Sequence, residues 1–174
     1  MYCNRDTRGP VGPGGTTQER QSSPQGTPEA IDIAALRPIR SVLSSHDYWQ
    51  LQEHRRRCND LGGALFGRLA QLIRAKMVDA HVPGTADLPP NAVTGGSRVC
   101  FAISGERTQT RTLYHWGYPD HERNRLPVGT FLGITLIGMT EGQRAVLLDA
   151  EGVAGEVTVL AVHHRPEDDL ARRN

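Results

Sequence analysis

The spacing of apolar residues changes once along this 174-residue chain. As far as Met77 they recur at intervals of three and four, which places them on one face of a helix. Three prolines follow, Pro83, Pro89 and Pro90, and helices rarely continue through such residues. From Arg98 onward apolar and polar residues alternate, as they do in strands with one buried face. The pattern predicts an α+β chain in which helices precede a β-rich domain.

A helix is predicted to begin after Ser44. The spacing Ser44-x-x-Asp47 is typical of a helix N-terminus, where short polar side chains accept hydrogen bonds from free N–H groups. One face of this helix would carry Tyr48, Leu51, Arg55 and Cys58. An earlier helix, kinked at Pro38, is predicted over residues 32–43 from a similar stripe.

The next helix is predicted from about Leu61 to Val78. Lys76 is the one polar residue on its apolar stripe. Because each of the two neighbouring helices has an apolar face that cannot remain in water, we expect them to pack as a short antiparallel hairpin. The two helices would be joined near residues 58–63.

Four strands and one short helix are predicted after the prolines. Residues rich in β-branched and aromatic side chains define the strands, at 98–103, 108–118, 145–148 and 157–162. The helix covers residues 131–137. Thr130 would be its N-cap, and Gly138 follows its end, where glycine is favoured.

The chain is accordingly divided into five segments. Residues 1–28 are predicted to be a disordered leader, because they have almost nothing apolar to bury. Residues 29–82 form a helical, coiled-coil-like region, and residues 83–96 form a linker. The β domain covers residues 97–167, and a tail follows at 168–174.

Composition restricts the possible partners and compartment. The chain has 20 Lys and Arg against 19 Asp and Glu, a formal net charge of +1, and so lacks the positive excess of a surface that follows phosphates. No secretory signal and no membrane-spanning segment is predicted. The three cysteines, Cys3, Cys58 and Cys100, form no C-x-x-C pair, so neither a disulfide framework nor a zinc site is expected. We expect a cytoplasmic protein that is a monomer.

Motifs that carry catalysis are missing from the sequence. It has no G-x-S-x-G, Walker loop, H-E-x-x-H or glycine-rich dinucleotide fingerprint. His163 and His164 are neighbours at a predicted strand and would point to opposite faces, so they cannot jointly hold a metal ion. We expect no catalytic residue, no metal and no cofactor, and hence a protein that is not an enzyme.

Three segments in the second half of the chain follow one another in a distinctive order. They are 91–99 (NAVTGGSRV), 126–143 (LPVGTFLGITLIGMTEGQ) and 157–167 (VTVLAVHHRPE). This succession resembles the C-terminal domain of the bacterial GreA/GreB transcription elongation factors. It also resembles Rnk, the regulator of nucleoside diphosphate kinase that shares their architecture. The resemblance implies an FKBP-like domain, with an antiparallel sheet wrapped around the short helix at 131–137.

The resemblance also implies RNA polymerase as the partner, with nucleic acid reached only through the polymerase complex. In Gre factors this domain docks at the rim of the polymerase secondary channel. Carried over to this sequence, the docking surface consists of Thr130, Phe131, Leu132, Gly133, Met139, Thr140 and Glu141. The match is divergent here, since Thr130-Phe131 replaces the family's Ser-Pro and Gln143 replaces its Asp.

The predicted hairpin tip departs from the cleavage-factor pattern. In Gre factors the hairpin enters the channel, and acidic residues at its tip help to hold a catalytic magnesium ion. Here the tip contains Arg56, Arg57 and Asp60, and Asp60 is its sole carboxylate beside three arginines at 55–57. The sequence therefore predicts a polymerase-binding regulator of elongation that does not support transcript cleavage.

Two alternatives stay open. One is a transcript-cleavage stimulating factor that uses Asp60 with Glu53 or Asp47. The other is a peptidyl-prolyl isomerase, which only the analogy of fold suggests. That activity needs an aromatic-lined pocket, and aromatic residues make up only 5% of the chain.

Overall fold

A computed structural model of the chain describes residues 40–104, 106–116 and 124–164. The predicted leader, residues 1–28, and the predicted tail, residues 168–174, lie outside the described residues, as does most of the helix predicted over 32–43.

The described end of that helix corrects the prediction, since residues 40–43 are not helical. Val42 instead forms a parallel bridge with His81, and the Leu43 N–H donates to the His81 carbonyl oxygen at 2.9 Å. The Val42 N–H donates to the Gly138 carbonyl oxygen at 2.8 Å. These long-range partners satisfy backbone groups that a helix would have paired locally.

The two helices of the predicted hairpin are present as α1, Ser45–Leu61, and α2, Gly63–Val78. Ser44 caps α1 as predicted, because its Oγ accepts a hydrogen bond from the Asp47 N–H at 3.0 Å. Gly62 and Gly63 make the turn with φ of 65° and 82°, angles that are costly for residues with a Cβ. The chain can therefore reverse between α1 and α2 without a longer loop.

The β domain contains one five-stranded sheet in the order β3-β2-β1-β5-β4. Its strands are β1 Arg98–Ile103, β2 Gln109–Tyr114, β3 Arg125–Pro127, β4 Arg144–Leu148 and β5 Val153–His163. All neighbouring pairs are antiparallel except β2 and β3, which are parallel. The expectation of a purely antiparallel sheet is thus wrong at one edge. The sequence analysis missed β3, because three residues that include a proline show no alternating pattern.

The short helix α3, Phe131–Leu136, starts where it was predicted to start. The Thr130 Oγ1 accepts a hydrogen bond from the Gly133 N–H at 3.1 Å, and Gly138 follows the helix with φ of 76°. Gly133 is required by close packing, since a Cβ there would lie 2.2 Å from the Pro127 carbonyl oxygen. The helix can approach β3 only because this position has no side chain.

The hairpin and the β domain share one hydrophobic core. From the hairpin it includes Leu51, Leu69, Ile73 and Met77, and from the β domain Phe101, Leu113, Ile134 and Val159. The second half of the predicted linker belongs to this core as well. Ala92 and Val93 are fully buried, and Val93 exchanges backbone hydrogen bonds with Gly138 and Met139 at 2.8 Å each. None of the described helices is long and apolar enough to cross a membrane.

Candidate functional site

The hairpin tip carries ion pairs that occupy its carboxylates. The Arg56 guanidinium donates to both oxygens of Glu53 at 2.8 Å and to Asp60 at 2.6 Å. Arg57 adds a further hydrogen bond to Glu53 at 2.9 Å. Hydrogen bonds from Arg56, and then from Arg57, lower the pKa of Glu53 to about 2. The Glu53 carboxylate is therefore charged, and both Glu53 and Asp60 are already engaged by arginine.

The predicted docking residues around α3 fall into exposed and buried groups. Phe131 and Leu132 are half-buried and pack against the core, and Thr130 caps the helix. Gly133 is buried, as is Met139 at 0% exposure. Met139 therefore offers no side-chain surface to a partner, because the same packing that completes the core covers it.

The turn after α3 is held by its own polar side chains. The Thr140 N–H donates to the Gln143 Oε1 at 3.0 Å, and the exposed Glu141 accepts from the Val162 N–H at 2.7 Å. Five of the seven predicted contact residues are exposed or half-exposed, namely Thr130, Phe131, Leu132, Thr140 and Glu141. A docking role for them stays a prediction.

A second group of polar residues, which the sequence analysis did not assemble, lies where α1 meets the β domain. We call it the histidine cluster: Asp47, His54, Arg57, His115 and Trp116. The buried Asp47 carboxylate accepts hydrogen bonds from the Ser44 Oγ at 2.7 Å and from the Gly95 N–H at 3.0 Å. It is also 2.8 Å from the His115 Nε2. Burial alone would raise the pKa of Asp47, but these bonds outweigh it and the pKa is lowered.

The two histidines of the cluster contact each other. The His115 Nδ1 is 3.3 Å from the His54 Nε2. Because the ionised Asp47 is purely an acceptor, the His115 Nε2–H is assigned as its donor, and the other ring nitrogen of His115 shares a hydrogen bond with His54. Burial first, and then the neighbouring His115 and Arg57, lower the pKa of His54 to about 4. The imidazole of His54 is therefore neutral at pH 7.

Trp116 closes the cluster on its outer side. His54 stacks on its indole with ring centroids 4.0 Å apart, and the Arg57 guanidinium carbon lies 4.1 Å from the Trp116 ring centroid. The Trp116 Nε1–H donates to the Gln50 Oε1. The indole is therefore held between a neutral ring and a cation, both from α1.

Two glycines leave room for the histidine rings. A Cβ on Gly95 would lie 2.7 Å from the His115 Cδ2 and 2.9 Å from the Asp47 Oδ1. A Cβ on Gly129 would lie 3.0 Å from the His54 Nδ1. The cluster was detectable in part from the sequence, because positions 47, 51, 54 and 58 share one helical face and two of them are polar. Nothing in the sequence indicated that His115 would reach that face.

Lys76, the polar residue on the stripe of α2, has a defined partner in α3. Its Nζ donates to the Thr135 carbonyl oxygen at 2.7 Å. Burial of the amino group lowers the pKa of Lys76 to about 7. Within the described part of the chain, no group of three or more His, Cys, Asp or Glu side chains could hold a metal ion.

Comparison with solved structures identifies the fold. Over 72% of its length the chain matches 99% of the prokaryotic transcription elongation factor GreA/GreB from Nitrosomonas europaea, with a TM-score of 0.50 and 22% identity. The chain has the GreA/GreB fold. This confirms the resemblance inferred from residues 91–99, 126–143 and 157–167.

More distant matches to the GreA/GreB fold include two Gfh1 proteins. The GreA factor homolog 1 of Thermus thermophilus is 13% identical, with a TM-score of 0.34, and 72% of this chain covers 99% of it. Gfh1 of Thermus aquaticus is 16% identical, with a TM-score of 0.37, and 71% of this chain covers 98% of it. No protein-family model and no curated protein sequence matches the chain.

Proposed function

We propose that this protein is an RNA polymerase-binding regulator of transcription elongation that docks near the secondary channel and does not stimulate transcript cleavage. The observation that carries the proposal is the shared fold. A hairpin and a β domain in the order of GreA/GreB account for nearly the whole of that elongation factor. A fold alone does not establish an activity, so the surfaces of this chain must support the role.

The hairpin tip supports a role without cleavage. A magnesium site needs oxygens that converge on the ion at about 2.0–2.1 Å. Asp60 and Glu53 each form an ion pair with Arg56. Both carboxylates would have to give up these ion pairs to bind a magnesium ion. Asp47 lies 13 residues before Asp60, about 20 Å along α1, and faces the β domain. The cleavage alternative therefore has no second carboxylate free at the tip.

The described aromatic side chains do not favour the isomerase alternative. Phe101 is fully buried in the core and Phe131 packs against the core. Trp116 contacts His54 and Arg57 and remains 41% exposed. A cleft of about 240 Å³ opens at the start of α1, but its lining contains no Phe, Tyr or Trp.

The proposal is tested by binding to core RNA polymerase in native salt, followed by competition with a Gre factor. Saturable binding that the Gre factor displaces is expected. A matched surface control is Arg107→Ala, because Arg107 is exposed in the turn between β1 and β2, outside the predicted docking residues, and should not alter affinity. Absence of binding, or binding that a Gre factor leaves unchanged, contradicts docking near the secondary channel.

A further inference from the structure

The hairpin is held to the β domain at points spread along α1. His115 and Trp116 are consecutive residues directly after β2, yet they contact positions along α1 from His46 to Arg57. Asp47 and His54 are seven residues apart and Asp47 and Arg57 are ten, which corresponds to about 10 and 15 Å along the helix axis. A helix held at one point can pivot, whereas a helix held at several points along its axis cannot tilt without breaking one of them.

The contacts in this region are directional. Apolar packing tolerates small rotations between two surfaces, but hydrogen bonds weaken when distance or angle changes. The His115 ring is bonded at both nitrogens, to Asp47 at 2.8 Å and to His54 at 3.3 Å. A change in the angle of α1 would break at least one of these bonds and leave a buried polar group unpaired.

We propose that the histidine cluster sets the angle at which the hairpin stands on the β domain, and thereby the direction in which the tip is presented. The cluster acts as a positioning device rather than as a contact surface of its own. That the tip is presented to RNA polymerase rests on the proposed function, whereas the angle itself does not.

The tip that is oriented in this way is open to solvent. Leu61 is 66% exposed and Leu65 is 45% exposed, on either side of the Gly62–Gly63 turn. A Cβ on Gly62 or Gly63 would have no atom within 4 Å. Among the described residues, the Gly62–Gly63 turn and its two flanking leucines are open to solvent, so the direction of the tip follows from how α1 and α2 are held further down.

Two side chains of α2 also form hydrogen bonds to the β domain. Arg68 donates to the Ala150 carbonyl oxygen in the turn between β4 and β5, but its side chain is exposed. Lys76 reaches Thr135 near the opposite end of α2 from the tip. Arg68 is a suitable control, since it bridges the hairpin and the β domain without belonging to the cluster.

The test measures residual dipolar couplings of backbone amides in the full chain. In the wild type, the amides of α1 and α2 and those of the β sheet should fit one alignment tensor. His115→Ala removes both bonds of the ring, and we expect the hairpin amides to require a separate tensor. Arg68→Ala should keep the single tensor of the wild type.

Two further variants separate positioning from general loss of stability. Gly95→Ala removes no polar group but places a Cβ against His115 and Asp47, so it should also change the hairpin tensor. Val159→Ala destabilises the buried core without touching the cluster and should leave the relative orientation unchanged. If His115→Ala does not fold, Gly95→Ala decides the question.

The outcomes distinguish this proposal from the proposed function. If both cluster variants keep the wild-type tensor, the cluster does not set the angle and the proposal is wrong. A changed tensor together with an affinity for polymerase reduced by about tenfold or more supports both proposals. If the wild type does not bind polymerase at all, the proposed function fails, and the tensors alone decide the role of the cluster.

Discussion

His54 stacks on Trp116 with ring centroids 4.0 Å apart and ring planes 19° from parallel. His54 belongs to α1, and Trp116 follows β2, so this stack joins the helical hairpin to the β domain. His54 is buried at this junction, and burial, followed by the neighbouring His115 and Arg57, lowers the pKa of its imidazole to about 4.

Stability should fall as the pH falls below about 6.5, the ordinary pKa of histidine. The pKa of His54 is about 4 in the folded protein. The unfolded chain therefore binds the proton on His54 more readily than the folded chain. Protonation does not reduce the free energy of unfolding above pH 6.5, and the loss develops between pH 6.5 and 4. We expect the melting temperature at pH 4.5 to lie at least about 2 °C below that at pH 7.5.

His54→Gln should reduce this pH dependence, since glutamine does not titrate. The matched control is His163→Gln, because His163 is exposed at the end of β5 and should leave the dependence unchanged. Equal pH profiles for the wild type and His54→Gln would contradict the assignment.

Two glycines should respond to alanine in opposite directions. A Cβ at Gly67, in α2, has no atom within 4 Å, so Gly67→Ala should raise the free energy of unfolding by up to about 1 kcal/mol through helix propensity. Gly133→Ala places a Cβ against the Pro127 carbonyl oxygen. This substitution should lower the free energy of unfolding by about 1–3 kcal/mol or more. Urea denaturation measures both, and a stabilising Gly133→Ala would show that α3 is not packed as described.

Lys76→Met should stabilise the protein at pH 7. The pKa of Lys76 is about 7 in the folded chain against 10.5 when unperturbed. The unfolded chain binds the proton more tightly, so lysine destabilises the fold at or below pH 7, and this penalty fades as the pH rises toward 10.5. Methionine keeps the apolar stem and removes the charge, and we expect a gain of at least about 1 kcal/mol. A loss of stability would mean that the bond to Thr135 outweighs the cost of burial.

The protein should not stimulate RNA cleavage in backtracked elongation complexes. Its tip lacks two free convergent carboxylates, since Arg56 is bonded to both Glu53 and Asp60. A Gre factor in the same assay serves as the positive control. Robust cleavage that disappears in Asp60→Ala would overturn this expectation and favour the cleavage factor.

Phe131→Ala tests the docking surface at the start of α3. Phe131 is half-buried, so part of its ring is available to a partner. If it anchors the interface, the substitution should weaken polymerase binding by at least about 1 kcal/mol. The control is Ile134→Ala in the same helix, because Ile134 is fully buried and should lower stability by about 2–5 kcal/mol without altering the affinity of the folded fraction. Unchanged affinity for Phe131→Ala would remove this residue from the docking surface.

Local sequence patterns were sufficient to predict the helix caps and the helical hairpin, because these depend on residues close together in the chain. The caps at Ser44 and Thr130 were predicted, because a capping side chain bonds to an N–H only three residues away. The hairpin was predicted because two neighbouring helices each carry an apolar face that must be buried. The family fold was recognised from short segments in a distinctive order and was confirmed by the match to GreA/GreB.

Tertiary structure decided what depends on partners distant in sequence. The strand β3 exists because β2 pairs with it, and residues 40–43 are extended because His81 and Gly138 lie beside them. The histidine cluster joins Asp47 to His115 across 68 residues. No periodicity encodes such a contact, since it depends on how the shared core places α1 against the end of β2. Only that packing brings Asp47, His115 and His54 together as one buried hydrogen-bonded network.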